Sequence, residues 1–362
     1  MENQKQPANI VLSQRSRKLP SKKYSAGDTL EFDIPSGEVI KEIVVSMHGK
    51  VTPSYSAGNF VFHKYGVMDA LVRALNVNDG SKVLKGFQGV DVLRRQARYL
   101  SGSACPTFYK KNSSTLGTSP SVGFVDEAGA FGANSGNDIA FSETVSIPFE
   151  NKLSNQWSRT LLNTKGKNNV KVEMVLNELS KLVDASDGTT VVTGVTSDIT
   201  IEVQLITIPA KREMPVFENW RQSHQTFNIF GQQSEQPYKL TKGARVQGFW
   251  ITAYMGSANR RLSLDEAKEL VIEVRLNGTE LVKKFSLYNL MMENLSKSQI
   301  SEVQDGSAYC NFLDNSMFET ALNTSNQAGV LEYDAIITTP SSWSYSSPVQ
   351  LTFEQDDIEL KN

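Results

Sequence analysis

Asn78-Asp79-Gly80-Ser81-Lys82-Val83-Leu84-Lys85-Gly86-Phe87 and Leu276-Asn277-Gly278-Thr279-Glu280-Leu281-Val282-Lys283-Lys284-Phe285 are one pattern written twice. Aligned without a gap, Gly80 falls on Gly278, Val83 on Leu281, Leu84 on Val282, Lys85 on Lys283, Phe87 on Phe285 and Asp91 on Asn289. Asp-Gly and Asn-Gly between β-rich runs are the strongest short hairpin signals, because the tight turns that match strand twist need positive φ. The runs are Leu71 to Val77 with Lys82 to Phe87, and Leu270 to Leu276 with Glu280 to Phe285. A helix is predicted after each hairpin. Val90, Leu93, Ala97 and Leu100 share one helical face, with Arg94, Arg95 and Arg98 elsewhere on its surface, and Leu287, Leu290, Met291 and Leu295 repeat the spacing.

Two further matches come in the same chain order. Thr160-Leu161-Leu162-Asn163-Thr164 answers Thr320-Ala321-Leu322-Asn323-Thr324, with Val170 and Val330 each opening an apolar run six residues beyond. Phe32, Ile34, Gly37 and Ile40 answer Tyr238, Leu240, Gly243 and Val246. Three ordered matches across half a chain describe two similar domains in tandem. A solenoid would repeat every 20–50 residues or so.

Outside the helices the pattern is β. Leu30, Phe32 and Ile34 alternate with polar residues, Val39 to Met47 is a β-branched run, and Ile199, Ile201, Val203 and Leu205 alternate through Asp198 to Ile208. Short helices are predicted at Asn155–Asn163 and Ser316–Asn323. Many short strands with Gly- and Pro-rich turns point to sandwiches, and eight strands in two Greek keys make a jelly roll. The expected fold is mainly β: two tandem eight-stranded jelly rolls with short helices inserted between strands. The expected boundaries are a basic N-terminal arm at 1–23, a first jelly roll at 24–208 with a long loop at 101–138, a linker at 209–225, and a second jelly roll at 226–362. The last ends in the acids Glu354, Asp356, Asp357 and Glu359. Loop 101–138 is rich in Gly, Ser, Asn and Ala, and residues 110–138 are expected at a subunit boundary or on an outer surface.

Composition excludes several classes. The 362 residues are 39% hydrophobic and 21% charged with a formal net charge of -2, unlike the strongly basic domains of dedicated nucleic-acid binders. Two cysteines, Cys105 and Cys310, sit in different halves outside any paired spacing, so a reducing compartment is expected. No apolar run has the length of a membrane helix or a signal-peptide core. His48, His63 and His224 lack zinc-site spacing, and Asp126-Glu127 reads as a solvated pair rather than a cation site. No nucleophile elbow, phosphate loop or paired strand carboxylates stand out; Glu173 and Glu202 sit singly. Trp343 with Tyr345 could form an aromatic sugar platform, against the simpler reading of a loop aromatic packed at a contact. The chain is thus expected to be no enzyme, with no cofactor and no metal.

The remaining chemistry is the basic arm. Lys5, Arg15, Arg17, Lys18, Lys22 and Lys23 face a single acid, Glu2, and the segment has no apolar period, so it reads as a flexible arm.

Two jelly rolls in tandem, inter-strand helices, a basic arm, an oversized loop and no active site together resemble the double jelly-roll major capsid proteins of tailless icosahedral bacteriophages with an internal membrane, in the lineage of adenovirus hexon. The resemblance spans about residues 24–360. It rests on architecture and duplication, not on a signature motif. It implies a virion protein made in a host cytoplasm. It further implies homotrimers of pseudo-hexagonal outline that tile a shell beside penton and minor proteins. The six basic arm residues would then face the interior, toward membrane lipid or genome, without sequence-specific nucleic-acid binding. A spike or minor capsid protein, a tandem β-sandwich glycan-binding protein and a jelly-roll carbohydrate-active enzyme remain as alternatives.

Overall fold

The computed structural model describes residues 14–57, 67–101, 107–111, 121–122, 139–152, 157–182, 191–209, 219–229, 236–241, 244–255, 260–297, 306–313, 321–324, 333–338 and 348–359. The first half comprises β1 (Arg15–Lys18), β2 (Lys22–Lys23), β3 (Thr29–Ile34), β4 (Val39–Ala57), α1 (Val67–Leu71), β5 (Val72–Asp79), β6 (Lys82–Gln88) and α2 (Asp91–Ser101). It continues with β7 (Thr107–Lys111), β8 (Ser121–Val122), β9 (Ile139–Pro148), β10 (Leu162–Asn163), β11 (Val170–Leu176) and β12 (Val191–Ile208). The second half comprises β13 (Trp220–Ile229), β14 (Gln236–Lys239), β15 (Ala244–Met255), β16 (Arg260–Arg261), α3 (Leu264–Ala267), β17 (Val271–Leu276) and β18 (Glu280–Ser286). It ends with α4 (Leu287–Lys297), β19 (Ser307–Asn311), β20 (Leu322–Asn323), β21 (Tyr333–Thr338) and β22 (Val349–Glu359).

The two halves are built alike. In the first, one sheet runs β1-β12-β4-β9 and the facing one β6-β5-β11-β3. In the second, β13-β22-β15-β19 answers the former and β18-β17-β21-β14 the latter. Between the facing sheets lie two separate apolar cores, alternate residues of each strand pointing in; Val170, Val172, Met174 and Leu176 of β11 are all buried.

Individual contacts repeat too. Gly80 (φ 62) and Gly278 (φ 72) turn equivalent hairpins, and the register slips at Val77/Asn78 in one and at Val274/Arg275 in the other. Leu162 pairs with Ile40, and Leu322 with Val246. Two residues on, Thr164 Oγ1 accepts the Glu38 N–H at 2.9 Å and reaches the Pro35 carbonyl at 2.9 Å. Thr324 Oγ1 accepts the Ala244 N–H at 3.0 Å and reaches the Thr241 carbonyl at 2.7 Å. Both threonines are buried, so each hydroxyl serves as a backbone partner where water cannot.

Some expectations need correction. Val330 lies outside the described residues, and the ladders place Tyr333 opposite the position of Val170: Val172 pairs with Phe32 as Ala335 pairs with Tyr238. The first of the two short helices is a single 3-10 turn, Trp157–Thr160, before β10; most of its counterpart is outside the described residues. The basic segment 15–23 is not a free arm, because Arg15–Lys18 and Lys22–Lys23 pair with β12. The linker at 209–225 is overrun by β13, which begins at Trp220. Within loop 101–138, β7 and β8 extend the sheet beyond β9, and most of the remainder lies outside the described residues.

Candidate functional site

The two jelly rolls are joined along a seam. There β13 of the second lies parallel to β6 of the first, Gln222 beside Lys85, so that sheets of both rolls merge into one of ten strands. Along helix α2, Val92 to Gln96 are all buried. Arg94 and Arg95, expected on its surface, are each 4% exposed. Arg94 turns into the first roll and pairs with Glu143 at 2.5 Å. Glu143 also accepts the N–H groups of Val67 and Met68, at 2.7 Å each, and so caps α1 from across the roll.

The acids expected as a charged chain end form the other side of the seam. Glu354, Asp356 and Asp357 lie on β22 and are buried. Asp356 accepts Gln222 Nε2 at 2.5 Å, and Asp357 accepts Arg221 Nε at 3.1 Å and Gln355 Nε2 at 3.1 Å. Glu359 at the seam's rim is bound by Lys82 of the first roll at 2.6 Å. Lys85 is fully buried with its ammonium nitrogen 3.1 Å from the Trp220 ring centroid, a cation–π placement. Burial drives the Lys85 amine well below its ordinary range, against the pull of Asp356 and Asp357. Burial pushes Glu354 up to about 8 and Asp356 up to about 6, with Arg95 and Lys85 respectively opposing.

Between the rolls opens a cleft of about 640 Å³, lined from the first by Asp69, Asp91 and Arg95 and from the second by Arg261, Thr352 and Glu354. Burial opposes ionisation of Asp91, yet Arg261 and Arg95 beside it hold it at about 2. Carboxyls pushed apart in a cleft are the signature of an acid–base pair. Asp91, however, is engaged by both arginines, by Arg95 at 2.6 Å and in direct contact with Arg261, which ties the rolls together. This arrangement fixes domain orientation.

Of the basic residues expected to act as a site, Lys5 lies outside the described residues. Arg15, Arg17 and Lys18 lie on β1 and Lys22 and Lys23 on β2, all exposed along one sheet edge. Arg17 pairs with Glu38 at 3.2 Å, Lys18 with Glu202 at 3.0 Å and Lys23 with Asp198 at 2.6 Å, while Lys22 sits 5.4 Å from the Phe32 centroid. The structure thus brings five of them together as an edge, three with carboxylate partners.

His48 lies within β4 and is half-buried; His224 Nδ1 is 3.3 Å from the Gly86 carbonyl at the seam. His63, Cys105, Asp126, Glu127, Trp343 and Tyr345 lie outside the described residues. Among the described residues no group of three or more His, Cys, Asp or Glu could hold a metal ion.

Sequence reasoning missed the seam. Its one visible signal was that Ile358 lies among the acids, an apolar residue beyond Phe353 that a fully solvated tail would not need.

No protein-family model matches the chain, and no curated protein does. Solved structures do. The major capsid protein of the Sulfolobus turreted icosahedral virus superposes with a TM-score of 0.65 at 13% identity, over 96% of this chain and 97% of that one. The major capsid protein P2 of bacteriophage PM2 gives 0.54 at 11% identity, over 97% and 99%. VP54 of PBCV-1 gives 0.58 at 10% identity, over 99% and 100%. The chain therefore has the double jelly-roll fold of viral major capsid proteins.

Proposed function

We propose that this chain is a major capsid protein, whose trimers of pseudo-hexagonal outline tile an icosahedral virion shell. The observation that carries the reading is the whole-length likeness to double jelly-roll major capsid proteins, with both rolls present and locked into one body by the seam. A fold alone does not define an activity. Here the buried charges of the cleft are used in joining the rolls, and the surface carries the function. The neighbours come from archaeal, bacterial and algal-type viruses, so the reading does not depend on a bacterial host.

Lys5, Arg15, Arg17, Lys18, Lys22 and Lys23 are proposed to face the interior, toward lipid or genome. Polybasic segments gain about 1 kcal/mol per charge near an anionic surface. Three of these charges are already matched by carboxylates, so the attraction is weaker than six free cations would give. Partners in the shell are further copies of the chain, then penton and minor proteins.

The test is abundance. In purified particles this chain should be the dominant protein band, with copies in the hundreds. A few copies per particle would instead identify a spike or minor component, and absence from particles would end the capsid reading.

A further inference from the structure

The seam between the two rolls has an uncovered duplicate on the outside of the molecule. The strand ladders fix which residues correspond. Arg15 and Ser16 face Thr207 and Ile206 of β12, as Arg221 and Gln222 face Asp357 and Asp356 of β22. Both long strands slip register at this point, β12 at Ile206/Thr207 against β4 and β22 at Asp356/Asp357 against Gly248/Val246 of β15. Strand β1 is therefore the counterpart of β13. The matched hairpins likewise make β18 the counterpart of β6, with Val282 for Leu84 and Lys283 for Lys85.

Within the chain, β13 and β6 occupy each other's edges. Their counterparts β1 and β18 are each the outermost strand of a sheet among the described residues. Burial shows the difference directly. Leu84 is 3% exposed and Val282 40%. Arg94, Arg95 and Gln96 of α2 are buried, while Met292, Glu293 and Asn294 at the matching positions of α4 are only partly covered. On the outer sheet face, Gln247 and Trp250 of β15 are buried, while Lys41 and Val44 of β4 are half-open. The same set of positions is closed once and open once.

We infer that the edge strand β1 of one copy docks parallel to β18 of a second copy, Ser16 beside Lys283, repeating between chains the seam that joins the rolls within a chain. The occupant is a second copy because both halves of the contact are present on every chain and are continuous with a seam already formed. This rests on the capsid reading and deepens it by naming the assembly surface. The two patches differ, so the contact is heterologous: it closes into a ring or runs on as a filament. Three copies in a ring would place six rolls in sequence, with seams within and between chains alternating.

The chemistry of the two seams differs. Within the chain, Lys85 is buried against Asp356 and Asp357; at the matching positions the first roll carries Ile206 and Thr207, and Lys283 Nζ reaches the Asn311 carbonyl at 3.4 Å instead. The contact between chains thus buries no acid–base cluster; it sets Arg15, Arg17 and Lys18 of β1 along the seam, and the interior-facing charge then falls to Lys5, Lys22 and Lys23.

Two neighbouring exposed residues separate this proposal from general stickiness. Leu281 is 54% exposed and Val282 40%, but their first-roll counterparts differ: Val83 stays 47% exposed beside the formed seam, whereas Leu84 is covered. Val282→Arg should therefore raise the concentration at which oligomers half-dissociate by about tenfold or more, with an unchanged melting curve for the single chain. Leu281→Arg should change it by less than about threefold. The double variant Ser16→Cys with Lys283→Cys should form disulfide-linked dimers and trimers on mild oxidation, because a paired strand register brings the Cα atoms within about 4.4–6.8 Å; neither single variant should. Oligomers of unaltered mass that do not cross-link and that tolerate Val282→Arg would overturn this interface and leave the capsid reading standing. Oligomers that dissociate with Val282→Arg but cross-link only to a different protein would overturn the choice of a second copy. A chain that never self-associates would overturn both.

Discussion

Glu143→Ala is expected to destabilise the first jelly roll by about 3–5 kcal/mol, the usual effect of removing one partner from a buried ion pair. Glu143 is fully buried on β9 and holds three donors at once: Arg94 of α2 and the N–H groups of Val67 and Met68. Its loss strips a buried guanidinium of that carboxylate and leaves two amides of α1 without this acceptor. The second roll shows what the site replaces. There the matching position is Gly306, and α3 is capped locally: Ser263 and Glu266 form a capping box. Glu143→Gln, which keeps an acceptor oxygen, should recover part of the loss. Thermal or denaturant unfolding checks both. An alanine variant within about 1 kcal/mol of wild type would mean that the cluster is solvated.

The second large effect is one of pH. Glu354→Gln should leave stability nearly unchanged at pH 4.5 and raise it progressively toward pH 8. The sign follows from proton uptake. Glu354 sits at about 8 in the folded chain, above its ordinary 4.5, so the folded state holds a proton that the unfolded state has released. Its unfavourable contribution is absent below the unfolded value, grows through the window between them, and is complete above about pH 8, at roughly 3–5 kcal/mol. Lys85 tilts the profile the other way: its lowered value makes the unfolded chain bind the extra proton, so its contribution improves as pH rises. Taking the difference between variant and wild type cancels Lys85 and isolates Glu354. A difference flat from pH 4.5 to 8 would show that Glu354 is not desolvated at the seam.

The duplication was legible because the matched segments carry turn chemistry and apolar spacing that act locally. Gly80 and Gly278 need positive φ, and Leu162 and Leu322 pair onto Ile40 and Val246 in both halves. The two edge strands β1 and β13 were missed for one shared reason. Arg15-Ser16-Arg17-Lys18 and Arg221-Gln222-Ser223-His224 have no apolar alternation: β1 gains its place from the backbone ladder of β12, and this stretch of β13 from the ladder of β22 and the burial of polar Gln222 at the seam. In sequence they have the character of an arm and a linker. The seam was illegible for a different reason. Arg95, Asp356 and Asp357 look like surface charges in the sequence, yet they are buried where the rolls meet. Local pattern cannot report a burial created by a partner domain.

The proposed role of this chain is to join copies of itself into flat, six-lobed units. Native mass measurement of the purified protein, with electron images of the same sample, tests it most directly. The expected species is three times the 40.1-kDa chain, appearing as a closed ring of six lobes. A single 40.1-kDa species that persists at micromolar concentration, with no ring in the images, would contradict it.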